Sequence, residues 1–185
     1  LMFKPDEHTR IGLAYRSRMG YKLEGTATFS ANSLVNRDIT AFVTLPESAS
    51  LSVFSQLSSR WAVMADATWT RWNRLQIVAN TPSIPLPASL GPVLLPALAF
   101  EWSNTVRVGA GVTYSPGNAW KLRAGIAYDP TPSNDATRTP QLPDQDRTFV
   151  SVGAQYNLGM WGKVDVAYMH QFVKDARVNV VRPPA

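Results

Sequence analysis

The chain has no cysteine and only two histidines, His8 and His170, in 185 residues. The first absence excludes a disulfide scaffold or a thiolate metal site. The second leaves too few imidazoles for a self-contained His-ligand centre, so neither a metal nor a cofactor is expected. No apolar run reaches the roughly eighteen residues that a transmembrane helix requires. Leu1-Met2-Phe3 has no basic start and is followed at once by charged residues, so no signal peptide is read there. The expectation is either a cytoplasmic protein or a piece that begins inside a longer one. Charge is scarce and scattered: the net +5 is carried by residues such as Arg107, Lys121, Arg123, Arg147 and Lys163, one or two per segment. A nucleic-acid binder gathers its cations into a stripe, so no nucleic-acid partner is expected.

What the chain does have is a β composition. Fourteen prolines and eleven glycines separate runs of Val, Thr, Tyr and Trp that alternate with a period of two. Val106, Val108, Ala110, Val112 and Tyr114 face one way, and Thr105, Arg107, Gly109, Gly111 and Thr113 the other. Trp120, Leu122, Ala124, Ile126 and Tyr128 repeat the pattern after a Ser115-Pro116-Gly117-Asn118 turn. Similar runs surround Ile11–Tyr15, Leu51–Val53, Trp61–Trp69, Thr148–Tyr156 and Val164–Tyr168. The alternation thus predicts about seven strands. The run from Arg60 to Val78 reads as one strand on the order of 60 Å long.

Short connections near 58–60, 115–118 and 158–162 take turns with long ones near 30–46, 79–104 and 129–146. Short turns at one end and long loops at the other are the pattern of an outer-membrane barrel. One face is uniformly apolar with Trp or Tyr at its ends; the other mixes Arg, Lys, Asp, Gln, Ser, Thr and Gly. That polarity suits lipid outside and a wet or plugged lumen inside. A soluble β-sandwich with its apolar faces packed together is the competing fold. Lipid tolerates no open sheet edge and bacterial barrels use an even strand number. The expected fold is therefore all-β: an antiparallel transmembrane β-barrel, present as a fragment. Residues 1–185 are then expected to form one partial barrel domain, with its first strands absent and its C-terminal strand or strands truncated.

Several ordered segments over residues 4–172 resemble the FadL-type family of outer-membrane transporters for long-chain fatty acids and aromatic hydrocarbons. They are Lys4-Pro5-Asp6-Glu7-His8-Thr9-Arg10 with Ile11-Gly12-Leu13-Ala14-Tyr15-Arg16-Ser17, Leu45-Pro46-Glu47, Asn118-Ala119-Trp120, and Tyr128-Asp129-Pro130-Thr131-Pro132. The most specific is Arg138-Thr139-Pro140 with Leu142-Pro143-Asp144-Gln145-Asp146-Arg147 and Ser151-Val152-Gly153. The resemblance implies a barrel of roughly fourteen strands, of which this chain is the C-terminal half, and an N-terminal hatch that this chain lacks. It also implies passive uptake without ATP, a Gram-negative outer-membrane location, and hydrophobic small molecules as ligands. Outer-membrane lipid and lipopolysaccharide would surround a monomeric barrel. Ser103, after Trp102, stands where the family often has a cation, which leaves room for a neutral or aromatic ligand.

The candidate binding residues are Ile84, Leu86, Leu90, Val93, Leu94, Leu95, Leu98 and Phe100, apolar side chains set among Pro85, Pro87, Pro92 and Pro96 in a long loop. Exposed apolar patches mark binding or insertion; the plainer reading is a loop that packs over the barrel mouth. Arg107, Lys121 and Arg123 are candidates for the lumen wall or for a ligand headgroup, with Asp66 and Asp165 on the same wall. Pro143, Asp144, Asp146 and Arg147 read as a structural motif, an Asp–Arg lock where a loop re-enters a strand. No catalytic residue is assigned, since two distant histidines supply no Ser/His/Asp set, and no enzyme is expected. A general diffusion porin and a purely structural outer-membrane barrel are the competing functions. Replacing Leu94 and Leu95 with Ser is expected to lower uptake of a long-chain substrate at an unchanged amount of folded barrel. Labelled-oleate uptake per heat-modifiable band measures this, and equal uptake refutes the loop's role.

Overall fold

The computed structural model describes residues 1–28, 37–80, 101–117, 119–136, 138 and 142–177. Their regular structure is β1 (Met2–Phe3), β2 (Thr9–Arg16), β3 (Met19–Ala27), β4 (Arg37–Leu45), β5 (Ser48–Gln56) and β6 (Trp61–Thr70), then β7 (Gln76–Asn80), β8 (Thr105–Tyr114), β9 (Trp120–Asp129), β10 (Arg147–Asn157) and β11 (Lys163–Val173). Single 3-10 turns lie at Trp72–Arg74 and Gly159–Trp161. Eight strands form one antiparallel sheet in the order β1-β2-β5-β6-β8-β9-β10-β11, and β3-β4-β7 form a smaller one.

The two sheets share the same stretches of chain. β2 runs into β3, β4 into β5 and β6 into β7, and all three interruptions sit at one level of the pairing. Arg16 lies opposite Ser48 and Ser48 opposite Thr70 on one side of the break; Met19 opposite Leu45 and Thr44 opposite Gln76 lie on the other. Pro46 explains one break, because it has no N–H to give to a ladder. At the third, the turn over Trp72–Arg74 is closed by Arg74 N–H to Arg71 O at 3.1 Å and Leu75 N–H to Trp72 O at 2.9 Å. The structure departs from two of these expectations. The run from Arg60 to Val78 is not one strand but two, broken at 71–75. The long connection near 30–46 contains β4, and a further strand, β3, follows the first. With each interrupted pair counted once, the chain crosses the sheet as the seven runs that alternation predicts, with β1 added at the edge.

Register carries the alternation across the whole sheet. Ile11 faces Val53, Val53 faces Ala65, Ala65 faces Ala110, Ala110 faces Ile126, and Ile126 faces Val150. The adjacent row, on the other face, is Gly12, Ser52, Asp66, Gly109, Ala127 and Phe149. The apolar face is not covered by another layer: Ile126 is 58% and Val166 68% exposed, and among the described residues Ala62 is the sole buried hydrophobic. A soluble sandwich would bury this face against a second sheet.

Aromatic side chains mark both ends of the apolar band. At the short-turn end Trp61 packs on Tyr114 and Trp120 on Tyr156, with ring centroids 4.5 and 4.8 Å apart. Tyr15, Trp69 and Tyr128 lie on the same face at the long-loop end. From Trp61 to Trp69 the chain climbs about 27 Å along the strand. After the usual tilt this leaves a band of about 20 Å, close to the lipid-facing height of bacterial barrels. The turns at the short end rest on Gly117, Gly159 and Gly162, whose φ values of 90°, 68° and 107° only glycine adopts without strain.

The assignment of faces is testable with two neighbours on β9. Ile126→Arg puts a cation into the centre of the lipid band and is expected to cost about 2–4 kcal/mol. Ala127→Arg on the polar face is expected to be tolerated. Reversible unfolding of the full barrel in lipid vesicles measures both, and an inverted order refutes the assignment.

Candidate luminal surface and its extracellular rim

The polar face is built on glycine. A Cβ at Gly109 would sit 2.8 Å from Asp66 Oδ1, one at Gly111 3.1 Å from Met64 Cγ, and one at Gly125 3.0 Å from Ser151 Oγ. The larger side chain of each neighbouring strand therefore lies down over a bare backbone. The result is a depression of about 470 Å³ floored by glycine and walled by Met64, Asp66, Arg107, Arg123, Phe149 and Met169. The Arg107 guanidinium lies over the Phe149 ring at 5.8 Å. Arg123 pairs with Asp165 at 2.8 Å, and Gln155 Nε2 donates to the same carboxylate at 2.8 Å. Towards the short turns a smaller hollow of about 260 Å³ is lined by Phe54, Gln56, Arg60, Met64, Lys121 and Arg123. Among the described residues neither Arg60 nor Lys121 has a carboxylate partner, so this end of the wall carries unbalanced positive charge.

At the long-loop end two clamps of the same construction tie three successive strands. The Tyr15 hydroxyl, at the end of β2, donates to Glu47 Oε2 at 3.1 Å, and Glu47 Oε1 accepts from Arg71, just beyond β6, at 2.8 Å. Tyr128, at the end of β9, donates to Asp146 Oδ2 at 2.8 Å, and Lys174, just beyond β11, pairs with that oxygen at 2.8 Å. In each, a carboxylate at the foot of the middle strand joins a girdle tyrosine to a cation two strands away. Arg71 holds the Glu47 carboxyl below its ordinary range. Asp146 is held lower, at about 2, by Lys174 first and by the Thr131 N–H second. The Lys174 ammonium is correspondingly raised.

Around the second clamp the 129–146 connection is fastened by further charge-assisted bonds. Thr131 Oγ1 donates to Asp144 at 2.7 Å, and Arg147 reaches Asp129 at 3.3 Å and Asp144 at 3.5 Å. Arg138 is 2% exposed. Its guanidinium donates to Ser133 Oγ at 3.2 Å, to the Arg177 carbonyl at 2.8 Å, and to Asp135. Beside this network a hollow of about 410 Å³ is lined by Trp72, Trp102, Pro130, Leu142, Pro143 and Arg147. Trp72 and Trp102 meet edge to face at 5.5 Å.

Of the sequence candidates, Arg107, Lys121 and Arg123 come together on the polar face. Asp144, Asp146 and Arg147 stand in the corner network, and Pro143 lines the adjacent hollow. The loop candidates Ile84, Leu86, Leu90, Val93, Leu94, Leu95, Leu98 and Phe100 lie outside the described residues. Sequence reasoning missed Arg60, Phe149 and Met169 on the wall, and Glu47, Arg71, Lys174 and Arg138 at the rim. Polar-face parity on β10 and β11 points to Phe149 and Met169; Glu47 and Arg138 stand in segments the sequence singled out without assigning them a role, and Arg71 and Lys174 carry no local signal.

Residues 1–183 match the family described as outer membrane protein transport protein (OMPP1/FadL/TodX). Outer membrane protein P1 of Haemophilus influenzae is 34% identical over 92% of this chain and 36% of its own. The long-chain fatty acid transport protein of Escherichia coli O157:H7 is 26% identical over 97% of this chain and 42% of its own. The crystal structure of a FadL homologue from Pseudomonas aeruginosa superposes with a TM-score of 0.80 at 28% identity, covering 98% of this chain and 45% of that one. The chain thus spans less than half the length of the proteins it matches.

The depressed Asp146 pKa sets the sign of a pH effect. Its stabilisation of the corner is complete above the ordinary carboxylate value of 3.8 and is lost as pH falls from there to about 2. With Lys174 well exposed, the clamp is expected to contribute about 1 kcal/mol. Limited proteolysis of the 129–146 connection should be faster in Asp146→Asn than in the parent at pH 7, and the two rates should converge only as pH falls to about 2. Equal rates at pH 7 refute the clamp.

Proposed function

The chain belongs to the outer membrane transport protein family of OMPP1, FadL and TodX, and from that premise we propose that it forms one half of the wall of a barrel that takes up hydrophobic compounds passively. The members of this family are transport proteins of the Gram-negative outer membrane, and this chain has their fold. The observation that carries the proposal is the mixed character of the polar face. Met64, Phe149 and Met169 offer apolar contact beside Arg107 and Arg123, while Phe54 and Met64 sit above the unbalanced Arg60 and Lys121.

That order matches an amphiphile travelling inward. The Trp72–Trp102 hollow at the long-loop end accepts an apolar or aromatic group. The depression over the glycine floor receives an alkyl chain or ring. A carboxylate then finds Lys121 and Arg60 near the short-turn end, where a charge-assisted hydrogen bond favours it. Long-chain fatty acids use both halves of this path and aromatic hydrocarbons only the apolar half. A hatch from the remainder of the protein would rest on the same polar wall and move aside during passage. Gradient and partition drive the flow, and neither ATP nor a cofactor is needed.

Arg60→Gln with Lys121→Gln in the full-length protein is expected to lower oleate uptake about tenfold, the worth of one lost charge-assisted contact, and to leave toluene uptake unchanged. Loss of both refutes a headgroup role for these cations. Passage of small polar solutes in a liposome-swelling assay would replace the transporter by a general diffusion porin.

A further inference from the structure

Positive charge at the long-loop end is gathered at one clamp and not at the other. Arg71 pairs with Glu47 at 2.8 Å, Arg74 closes its turn on the Arg71 carbonyl at 3.1 Å, and Arg18 follows Tyr15 by three residues in the break between β2 and β3, so that Arg74 acts on the Glu47 carboxylate and Arg18 on the Tyr15 hydroxyl. Two guanidiniums thus act on the Glu47 carboxylate and a third on its tyrosine partner, for a local excess of two positive charges. Among the described residues Arg18 and Arg74 have no carboxylate partner, and both are exposed. At the second clamp Asp129, Asp144 and Asp146 outnumber Arg147 and Lys174, and the excess is negative.

The basic clamp faces outward. Tyr15 belongs to the apolar face and is 65% exposed, and its hydroxyl is what holds Glu47. Arg18, Arg71 and Arg74 stand a few residues beyond the Tyr15–Trp69 level, about 5–15 Å along the chain. Directly below them Leu13 and Leu51 lie opposite each other on the lipid face, each 50% exposed. A ligand that fills both zones has paired anionic groups at its head and several acyl chains beneath. Guanidiniums bind phosphate by paired N–H donors, and basic clusters beside a lipid surface select anionic headgroups.

We propose that Arg18, Arg71 and Arg74 form a binding site for a phosphorylated, multiply acylated glycolipid of the outer leaflet, the lipid A portion of lipopolysaccharide. Its phosphates meet the arginines and its chains lie along Leu13, Leu51 and Val53. This site belongs to the outer wall and is independent of the transport path. One cation near an anionic lipid surface is worth roughly a fivefold preference, so losing two should lower retention about 25-fold.

The test uses full-length protein, purified and mixed with bisphosphoryl lipid A, and reads lipid retained per folded barrel by native mass spectrometry. The parent is expected to retain it, and Arg18→Ser with Arg74→Ser to lose it. Dephosphorylated lipid A should be held no better by the parent than by that variant. Lys174→Ser, at the acidic clamp, should retain lipid A like the parent. Equal retention by parent and Arg18/Arg74 variant, or equal loss in Lys174→Ser, overturns the site. Full competition by millimolar inorganic phosphate would make it a phosphate site and overturn the glycolipid. Because retention is counted per folded barrel, a destabilised variant does not mimic loss. Oleate uptake should be unchanged in the Arg18/Arg74 variant, so the outcome stands apart from the transport reading.

Discussion

A backbone amide or carbonyl left unpaired in hydrocarbon costs several kcal/mol, and the rest of this structure follows from avoiding that cost. Each inner strand of the large sheet, from β5 to β10, is paired with both of its neighbours, and the strands stand in the sheet in their chain order, so none has to cross another. Once pairing is complete, a one-residue slip would turn every lipid-facing Val, Leu and Ile into the lumen. Register and alternation therefore specify each other. This is why a chain with almost no buried apolar residue among those described still has a definite fold: lipid takes the place of a core, and the ladder fixes the geometry that packing would otherwise fix.

The lumen wall is free to use what the outer face forbids. Glycines at 109, 111 and 125 remove side chains where a neighbour's Asp66, Met64 or Ser151 must lie flat. Larger groups are thereby accommodated without thickening the wall. Cations in that wall are neutralised in part by Asp165 and held in part over an aromatic ring, as Arg107 is over Phe149. The remainder, Arg60 and Lys121, face a hollow with apolar walls. A surface that is apolar and basic by turns suits amphiphiles better than water-soluble ions, and the proposed transport rests on that contrast.

The strands crossing the membrane were legible because lipid enforces an unbroken apolar set on one side: β8 through β11 can be read from Val106, Leu122, Val150 and Val166 and their neighbours. β3 and β4 were not, because beyond the Tyr15–Trp69 girdle no lipid enforces the alternation and Lys22, Glu24 and Asp38 stand among the apolar residues. The break at 71–75 was hidden for a related reason: Trp72 continues a run rich in Trp and Thr that alternation alone extends to Val78. The polar-face cations were visible as residues, but their pairing was not. Arg123 meets Asp165 across 42 positions of sequence, a contact that exists only once β9, β10 and β11 are in register. The Pro143–Arg147 corner was legible as a group, whereas Lys174, which completes it, lies 28 residues beyond Asp146.

The two rim clamps show how the membrane boundary is built into the fold. A girdle tyrosine must keep its ring at the interface and find a partner for its hydroxyl. The carboxylate it uses sits at the start of the next strand in the sheet, where the chain comes down from the loop side, and that carboxylate needs a cation. The nearest chain that leaves the membrane at the same level is the strand after, and there stand Arg71 and Lys174. Tyrosine, carboxylate and cation thus bind an end, a beginning and an end of three adjacent strands, and recur in the same order at Tyr15–Glu47–Arg71 and Tyr128–Asp146–Lys174. The recurrence comes from antiparallel topology combined with an aromatic girdle. What differs between the copies is the surrounding charge, basic at one and acidic at the other. A feature that topology explains twice is structural; a charge that topology does not explain is where a second role belongs, and the arginines around Glu47 are that charge.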